Sequence, residues 1–319
     1  MISIEQIRNQ ENKIIVFGSH QSIIQSILDF DYLSGKSEGS VVGIVTGKRG
    51  FAKMFYGRNE ILIPTFATLP QSSELSGPEF GTSETSNLWF LNLLSGRRTL
   101  ASTLETLNHN FVGGSLFAEN VPELHSLKLI ENNKGLIVGP ASVGLLVPGV
   151  LKLGPIGGIT PDQIMEGMIT EKGSTAVMSA SGGMTNELMS IATLAGHKLS
   201  FALSFGGDRF PVLSPRDAFL LAESDPEIKT ILYYGELGGE DEYELVKLKE
   251  EGKFTKNVVA HIAGTVASLF AESPQFGHAK AKADKERTTA TAKREALRSA
   301  GFSVSNSFTE FINLVNEIR

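Results

Sequence analysis

Short runs of β-branched and aliphatic residues alternate along this chain with longer stretches whose apolar positions recur every three to four residues. "KIIVFGS" reads as a strand entering a turn, and the following "HQSIIQSILDFDYL" has helical spacing. "SVVGIVTG", "EILIPTF", "NLWFLNLL", "GGSLFAE" and "GLIVGPA" continue the strand series. Beyond residue 158 a second series follows: "STAVMSASGG", "LSFALSFGGDRFP", "KTILYYGELGG" and "NVVAHIAGT", each trailed by a helical stretch. Strand and helix in repeated alternation predict mostly parallel sheets with helices on both faces, an α/β fold of two doubly wound domains.

The two series are separated by "GPASVGLLVPGVLKLGPIGG", residues 139–158, whose prolines and glycines are expected to interrupt any regular element. The domain boundary is placed at its start, giving units over residues 1–140 and 141–319. Residues 70–87, rich in Ser, Gly, Pro and Glu, read as an exposed loop, because the strand series resumes directly after them.

Composition narrows the chemistry. With 319 residues, 41% of them hydrophobic, the chain can bury two cores of ordinary size. A net charge of -6 argues against a general nucleic-acid or anionic-membrane surface. The absence of cysteine removes disulfides, thiolate metal sites and cysteine nucleophiles together. No stretch has the length and apolarity of a membrane span, and the first residues lack a signal-peptide core, so a soluble, cytoplasmic protein is expected.

Three glycine-rich turns in the second half share a layout in which an apolar strand runs into Gly-Gly and a polar residue opens a helix. In "SASGGMTNELM", residues 179–189, Ser181, Gly182 and Gly183 are expected at a helix N-terminus, where free backbone N–H groups and the helix dipole favour a phosphate or carboxylate. An ordinary tight connection with a serine cap explains the same residues. "YYGELGGEDEYE" puts Glu236 at a strand end, facing the crevice in which α/β sheets bind ligands. That carboxylate could orient a histidine, ligate a metal, or be merely solvated. The acids Glu240, Asp241 and Glu242 suit a first helical turn and need no further role. In "SFGGDRFP" Arg209 could clamp a carboxylate or phosphate, or pair with Asp208. "SPQFGHAKAKAD" sets His278 between a glycine and a small, basic segment. A carboxylate-held imidazole near an anion-binding turn suggests nucleophilic catalysis through a phosphohistidine.

These motifs, in this order and spacing, resemble the succinyl-CoA synthetase α-subunit superfamily over nearly the whole chain. "SILDFDYLSGKSEGSVVGIV" and "FYGRNEILIPTF" point within it to the citrate branch, the corresponding segment of ATP-citrate lyase and the small subunit of citryl-CoA synthetase. The resemblance implies a CoA-binding Rossmann-like domain over residues 1–140 and a flavodoxin-like ligase domain over residues 141–319. It implies that His278 is the phosphorylated residue, that Glu236 positions its ring, and that Ser181, Gly182, Gly183 and Arg209 receive phosphate or a citrate carboxylate. Gly277, Glu119, Pro122, Ala300, Gly301 and Phe302 are implied to lie around the cofactor, and the lysines after His278 near phosphates or on a solvated helix face.

The chain departs from the family pattern at Lys280 and Asn120, where glycine is usual, and at Ala180, where a basic residue is common. The sequence holds neither an ATP-grasp domain nor a lyase domain. The resemblance therefore implies a hetero-oligomer with an ATP-grasp β-type subunit, using ATP, Mg2+, CoA and citrate, and leaves room for a separate citryl-CoA lyase. The alternatives are a succinyl-CoA synthetase α-subunit and a non-catalytic CoA-binding regulatory paralogue.

Overall fold

A computed structural model describes residues 1–71 and 87–318. The loop expected over residues 70–87 falls almost entirely outside the described residues.

The first strand series forms one seven-stranded sheet in the order β3-β4-β2-β1-β5-β6-β7. Its members are β1 (Asn12–Phe17), β2 (Val41–Val45), β3 (Gly50–Tyr56), β4 (Asn59–Phe66), β5 (Asn87–Asn92), β6 (Phe111–Leu116) and β7 (Leu136–Val138). All pairings are parallel except the edge hairpin of β3 on β4. β3 has no counterpart in the predicted series, because its pattern of mostly exposed positions carries no buried apolar run.

The second sheet runs β14-β13-β12-β10-β11-β8-β9. Its strands are β8 (Leu145–Val147), β9 (Leu151–Leu153), β10 (Thr175–Ser179), β11 (Leu199–Ser204), β12 (Thr230–Glu236), β13 (Asn257–Ala263) and β14 (Ser303–Val304). Strands β10 to β14 pair in parallel, while β8 and β9 add an antiparallel edge to β11. The expectation that residues 139–158 hold no regular element is thus corrected. Gly144 and Gly154, at φ 115° and 127°, bracket a hairpin of two three-residue, fully buried strands. Each glycine lies so close to the facing backbone that a Cβ would clash. The glycines that look like breakers are what lets the two chains meet.

Burial follows the pattern. β1, β10 and β11 are buried at every position, as expected for parallel strands covered on both faces. Trp89 is fully buried and its indole N–H donates to Asn12 Oδ1 at 2.9 Å, so the largest side chain of the first core leaves no polar group unpaired.

The two sheets are joined closely. The amide of Gly139 donates to the Phe205 carbonyl, that of Val212 to the Gly139 carbonyl, and that of Ser142 to the Leu116 carbonyl. These bonds tie the carboxyl ends of β6, β7 and β11 together. Among the described residues no helix is long and apolar enough to cross a membrane.

Candidate active site

The carboxyl edge of the second sheet gathers the chemistry. The connection leaving β10 runs to β11 on one side and that leaving β12 runs to β13 on the other, so the crevice between the carboxyl ends of β10 and β12 is the switch point of the sheet. Glu236 is the last residue of β12, and both its carboxylate oxygens accept from His278 Nδ1, at 2.8 and 2.9 Å. On the other side, the imidazole rests against Gly207, in the loop after β11. A Cβ built there would come 2.5 Å from His278 Cδ2. A ring that touches the ends of both β11 and β12 spans the end of β10.

That end carries the serine-glycine turn. Ser181 caps the helix Gly182–Leu194, and its hydroxyl accepts from the Met184 amide at 3.3 Å. Gly182 and Gly183 open the helix, so their N–H groups have no carbonyl four residues back and lie at the positive end of the dipole. Gly182 also allows Val143 to pack on its α-carbon, with only 2.4 Å between the valine Cγ1 and an added Cβ. The turn thus opens at the end of the strand that lies between those whose ends lead to Gly207 and Glu236.

The electrostatics match this geometry. The hydrogen bond to Glu236 raises the His278 pKa above its usual value, and this outweighs the opposing effect of burial. With the proton held on Nδ1 by the carboxylate, the neutral ring presents its lone pair at Nε2. The side chain remains 30% exposed, open enough for a reacting group to reach it.

The first sheet contributes the loop after β6. Asp208 accepts from the amides of Asn120 at 3.1 Å and Val121 at 2.9 Å. Burial raises the Asp208 pKa, with these two bonds acting the other way. Asn120 sits at φ 57°, a left-handed conformation that asparagine tolerates better than most residues, so the usual glycine can be replaced without changing the turn. Glu119 is close enough for its charge to act on His278. Pro122 caps the next helix, Glu123–Asn132.

Arg209 does not pair with Asp208. Its guanidinium is 59% exposed and reaches Glu123 Oε1 at 3.4 Å. Gly277 precedes the histidine with open space around its α-carbon. Ala300, Gly301 and Phe302 lie elsewhere: they follow the helix Ala290–Ser299 and lead into β14, whose Ser303 pairs with Val259 near the amino end of β13. A seven-residue parallel strand separates that end from Glu236 by roughly 20 Å. Phe302 is 7% exposed and packs edge-on against Phe254. The structure therefore does not join these three residues to the histidine crevice.

Two lysines and two acids lie around the Glu236–His278 pair; sequence reasoning assigned the acids no further role, marked Lys280 only as a departure from the family pattern, and did not single out Lys293. Lys280 is neither on a solvated helix face nor free for a phosphate: its side chain is 7% exposed, and its ammonium is bonded to Asp241. Burial pulls its pKa down, but Asp241, with help from Glu236 and Glu242, more than compensates and leaves it raised. Glu242 is buried at 2% against Lys293 at 1%, with 2.6 Å between the charges. Asp241 and Glu242 lie in the first helical turn as expected but each meets a lysine, while the exposed Glu240 stands at the N-cap, 3.3 Å from Arg287. The available signal was the pair of lysines at 280 and 293, on either side of a charged stretch, but spacing in sequence does not show which acid each would meet. Among the described residues no group of three or more His, Asp or Glu side chains could hold a metal ion, and Glu236 is engaged on both oxygens by His278.

Comparison with known proteins agrees with this architecture. The CoA-ligase family profile matches residues 178–303, which span the Gly-Gly turns, Glu236 and His278. ATP-citrate synthase beta chain protein 1 of Arabidopsis thaliana is 38% identical over 309 residues, covering 95% of this chain and 49% of that protein. ATP-citrate synthase of Homo sapiens is 36% identical over 317 residues, 97% of this chain and 28% of that one. Among solved structures, ATP citrate lyase of Methanosaeta concilii in complex with (3S)-citryl-CoA superposes with a TM-score of 0.89 at 34% identity, over 96% of this chain and 49% of its own. The chain spans about half or less of the length of these relatives. Residues 178–303 thus match the CoA-ligase family, and the chain is a homologue of ATP-citrate synthase chains over that part of their length.

Proposed function

We propose that this chain is the α-type component of an ATP-dependent acid-CoA ligase that forms citryl-CoA from citrate and CoA. The observation that carries the reading is the His278 Nδ1 bond to both oxygens of Glu236, which leaves the Nε2 lone pair free to act as the nucleophile. Nε2 attacks the γ-phosphorus of ATP and ADP leaves. The phosphoryl group then passes from Nε2 to a citrate carboxylate oxygen, giving citryl phosphate. The CoA sulfur, as thiolate, attacks that acyl carbon and orthophosphate departs, giving citryl-CoA. At each step the activated group stays on the histidine or on the substrate, which limits loss to water.

In this reading the amides of Gly182 and Gly183 and the Ser181 cap steady the phosphoryl group, and the exposed Arg209 receives a carboxylate of citrate. CoA approaches over the loop carrying Glu119 and Pro122. The division into a CoA-binding unit over residues 1–140 and a ligase unit over residues 141–319 is supported by one complete sheet on either side of residue 140. An ATP-grasp partner delivers the nucleotide with its Mg2+, for which the described residues of this chain offer no cluster. Lys280, which motivated the non-catalytic alternative, has a structural role beside Asp241 that leaves the histidine accessible.

The test is to mix the chain with an ATP-grasp subunit and γ-labelled ATP, then score acid-labile, base-stable protein phosphate. Label on the wild type that His278→Ala abolishes, and that citrate with CoA discharges, is the expected result. An unlabelled wild type, or label that persists in His278→Ala, overturns the reading. Discharge by succinate in place of citrate moves the substrate to the dicarboxylate branch.

A further inference from the structure

Lys293 lies in the helix Ala290–Ser299 and is 1% exposed, which is unusual for a charged side chain. Its ammonium makes two hydrogen bonds and one ion pair. It donates to the main-chain carbonyl of Glu236 at 2.7 Å and to that of Gly238, and it pairs with Glu242 Oε2 at 2.6 Å.

Glu242 is held just as closely. Tyr233 donates its hydroxyl to Glu242 Oε1 at 3.2 Å, and the carboxylate passes over Gly235, where an added Cβ would stand 2.2 Å from that oxygen. Gly238 and Gly239 are both left-handed, at φ 82° and 59°, and they turn the chain directly after Glu236. The Gly238 amide is taken up by the Thr288 carbonyl at 2.8 Å.

A buried ion pair contributes little net stability compared with well-packed apolar residues, because desolvation offsets the attraction. Its value here is directional. Two of the three bonds made by Lys293 end on the carbonyls that flank the Glu236 peptide turn, so they fix the backbone from which the Glu236 carboxylate reaches His278. We propose that Lys293, neutralised by Glu242, is a positioning residue for the Glu236–His278 pair: it locks the end of β12 so that both carboxylate oxygens stay on Nδ1. The consequence for catalysis rests on the phosphohistidine reading, but the alignment itself does not.

The test follows the His278 ring by NMR in the 319-residue chain, comparing wild type, Glu236→Gln and the double variant Lys293→Met with Glu242→Gln. The double substitution removes one positive and one negative charge together, so the net field at His278 is nearly conserved and a change reports geometry. It also leaves no unpaired buried charge, which Lys293→Met alone would do. The amide oxygen introduced by Glu242→Gln can still accept from Tyr233.

The expected result is a folded double variant whose His278 titration midpoint moves most of the way to that of Glu236→Gln, with the Nδ1 proton resonance broadened or lost. Lys293→Arg, which retains the charge and donors, keeps the wild-type midpoint. A folded double variant that titrates as wild type does overturns the proposal, and so does failure of Lys293→Arg to keep the midpoint in a folded protein. If wild type is never phosphorylated, the functional reading fails while these titrations still decide the role of Lys293.

Discussion

At His278 two effects oppose each other: the Glu236 hydrogen bond favours the imidazolium, and burial disfavours it, with the hydrogen bond the larger. Since phosphoryl transfer needs the neutral ring, activity should climb with rising pH and reach half its plateau above pH 6.5, the usual midpoint. In Glu236→Gln the acid limb of the phosphorylation rate should move to lower pH, because the opposite charge that stabilised the imidazolium is gone. Its plateau should also fall, as the ring loses the partner that fixes its tautomer. A limb that stays in place in Glu236→Gln would mean that some other group titrates. His278 and Glu236 were both legible as candidates, one by its glycine neighbour and the other by its position at a strand end. The burial and the partners of Lys280 and Lys293 were not, because a lysine among alanines looks the same whether it is solvated or buried against an acid.

The elements matter through their ends. The loop after β11 presents Gly207 as a flat seat for the imidazole. Gly207→Ala leaves the backbone conformation accessible to alanine, yet its methyl group requires the ring to move. Displacements of this size cost about a hundredfold in rate. We expect that loss in histidine phosphorylation with a stability change within about 1 kcal/mol. Urea unfolding and single-turnover labelling check the two numbers, and unchanged labelling would remove Gly207 from the site. The alternation of apolar runs foretold the parallel strands and the helix at Ser181. It did not show the β8–β9 hairpin, whose three-residue strands are too short for any period to register.

Over the whole molecule, the two halves meet around another lysine. Lys152 in β9 is fully buried and donates to Ser26 Oγ at 2.8 Å, on the helix Gln21–Leu33 packed under the first sheet, and to the Gly154 carbonyl at 2.9 Å. Burial lowers its pKa from 10.5 to about 7, with Asp31 and Asp29 opposing the shift only in part. Because the folded form releases this proton more readily than the unfolded chain, the stabilising contribution is fully present above pH 10.5 and is lost as pH falls through about 7. Thermal stability of the wild type should therefore rise with pH across that window relative to Lys152→Met, which has no such group. Parallel trends of melting temperature for the two proteins across that window would contradict it.

By itself the sequence determined the elements and their class, since burial of alternating apolar segments depends on local periodicity that each segment carries within it. It also named the histidine, the glutamate and the glycine turn as reactive types. Only the tertiary structure decided which of them meet. The strand order puts β10 between β11 and β12, so that Gly207 and Glu236 meet one ring at the carboxyl edge where the Ser181 turn also lies, while the antiparallel run of the helix Ala290–Ser299 carries Ala300 to Phe302 to the far end of the sheet. The physical reason is that hydrogen-bond and ion-pair partners are chosen by distance in space. Local patterns predict where a chain bends or extends, but not which buried carboxylate a distant lysine will find.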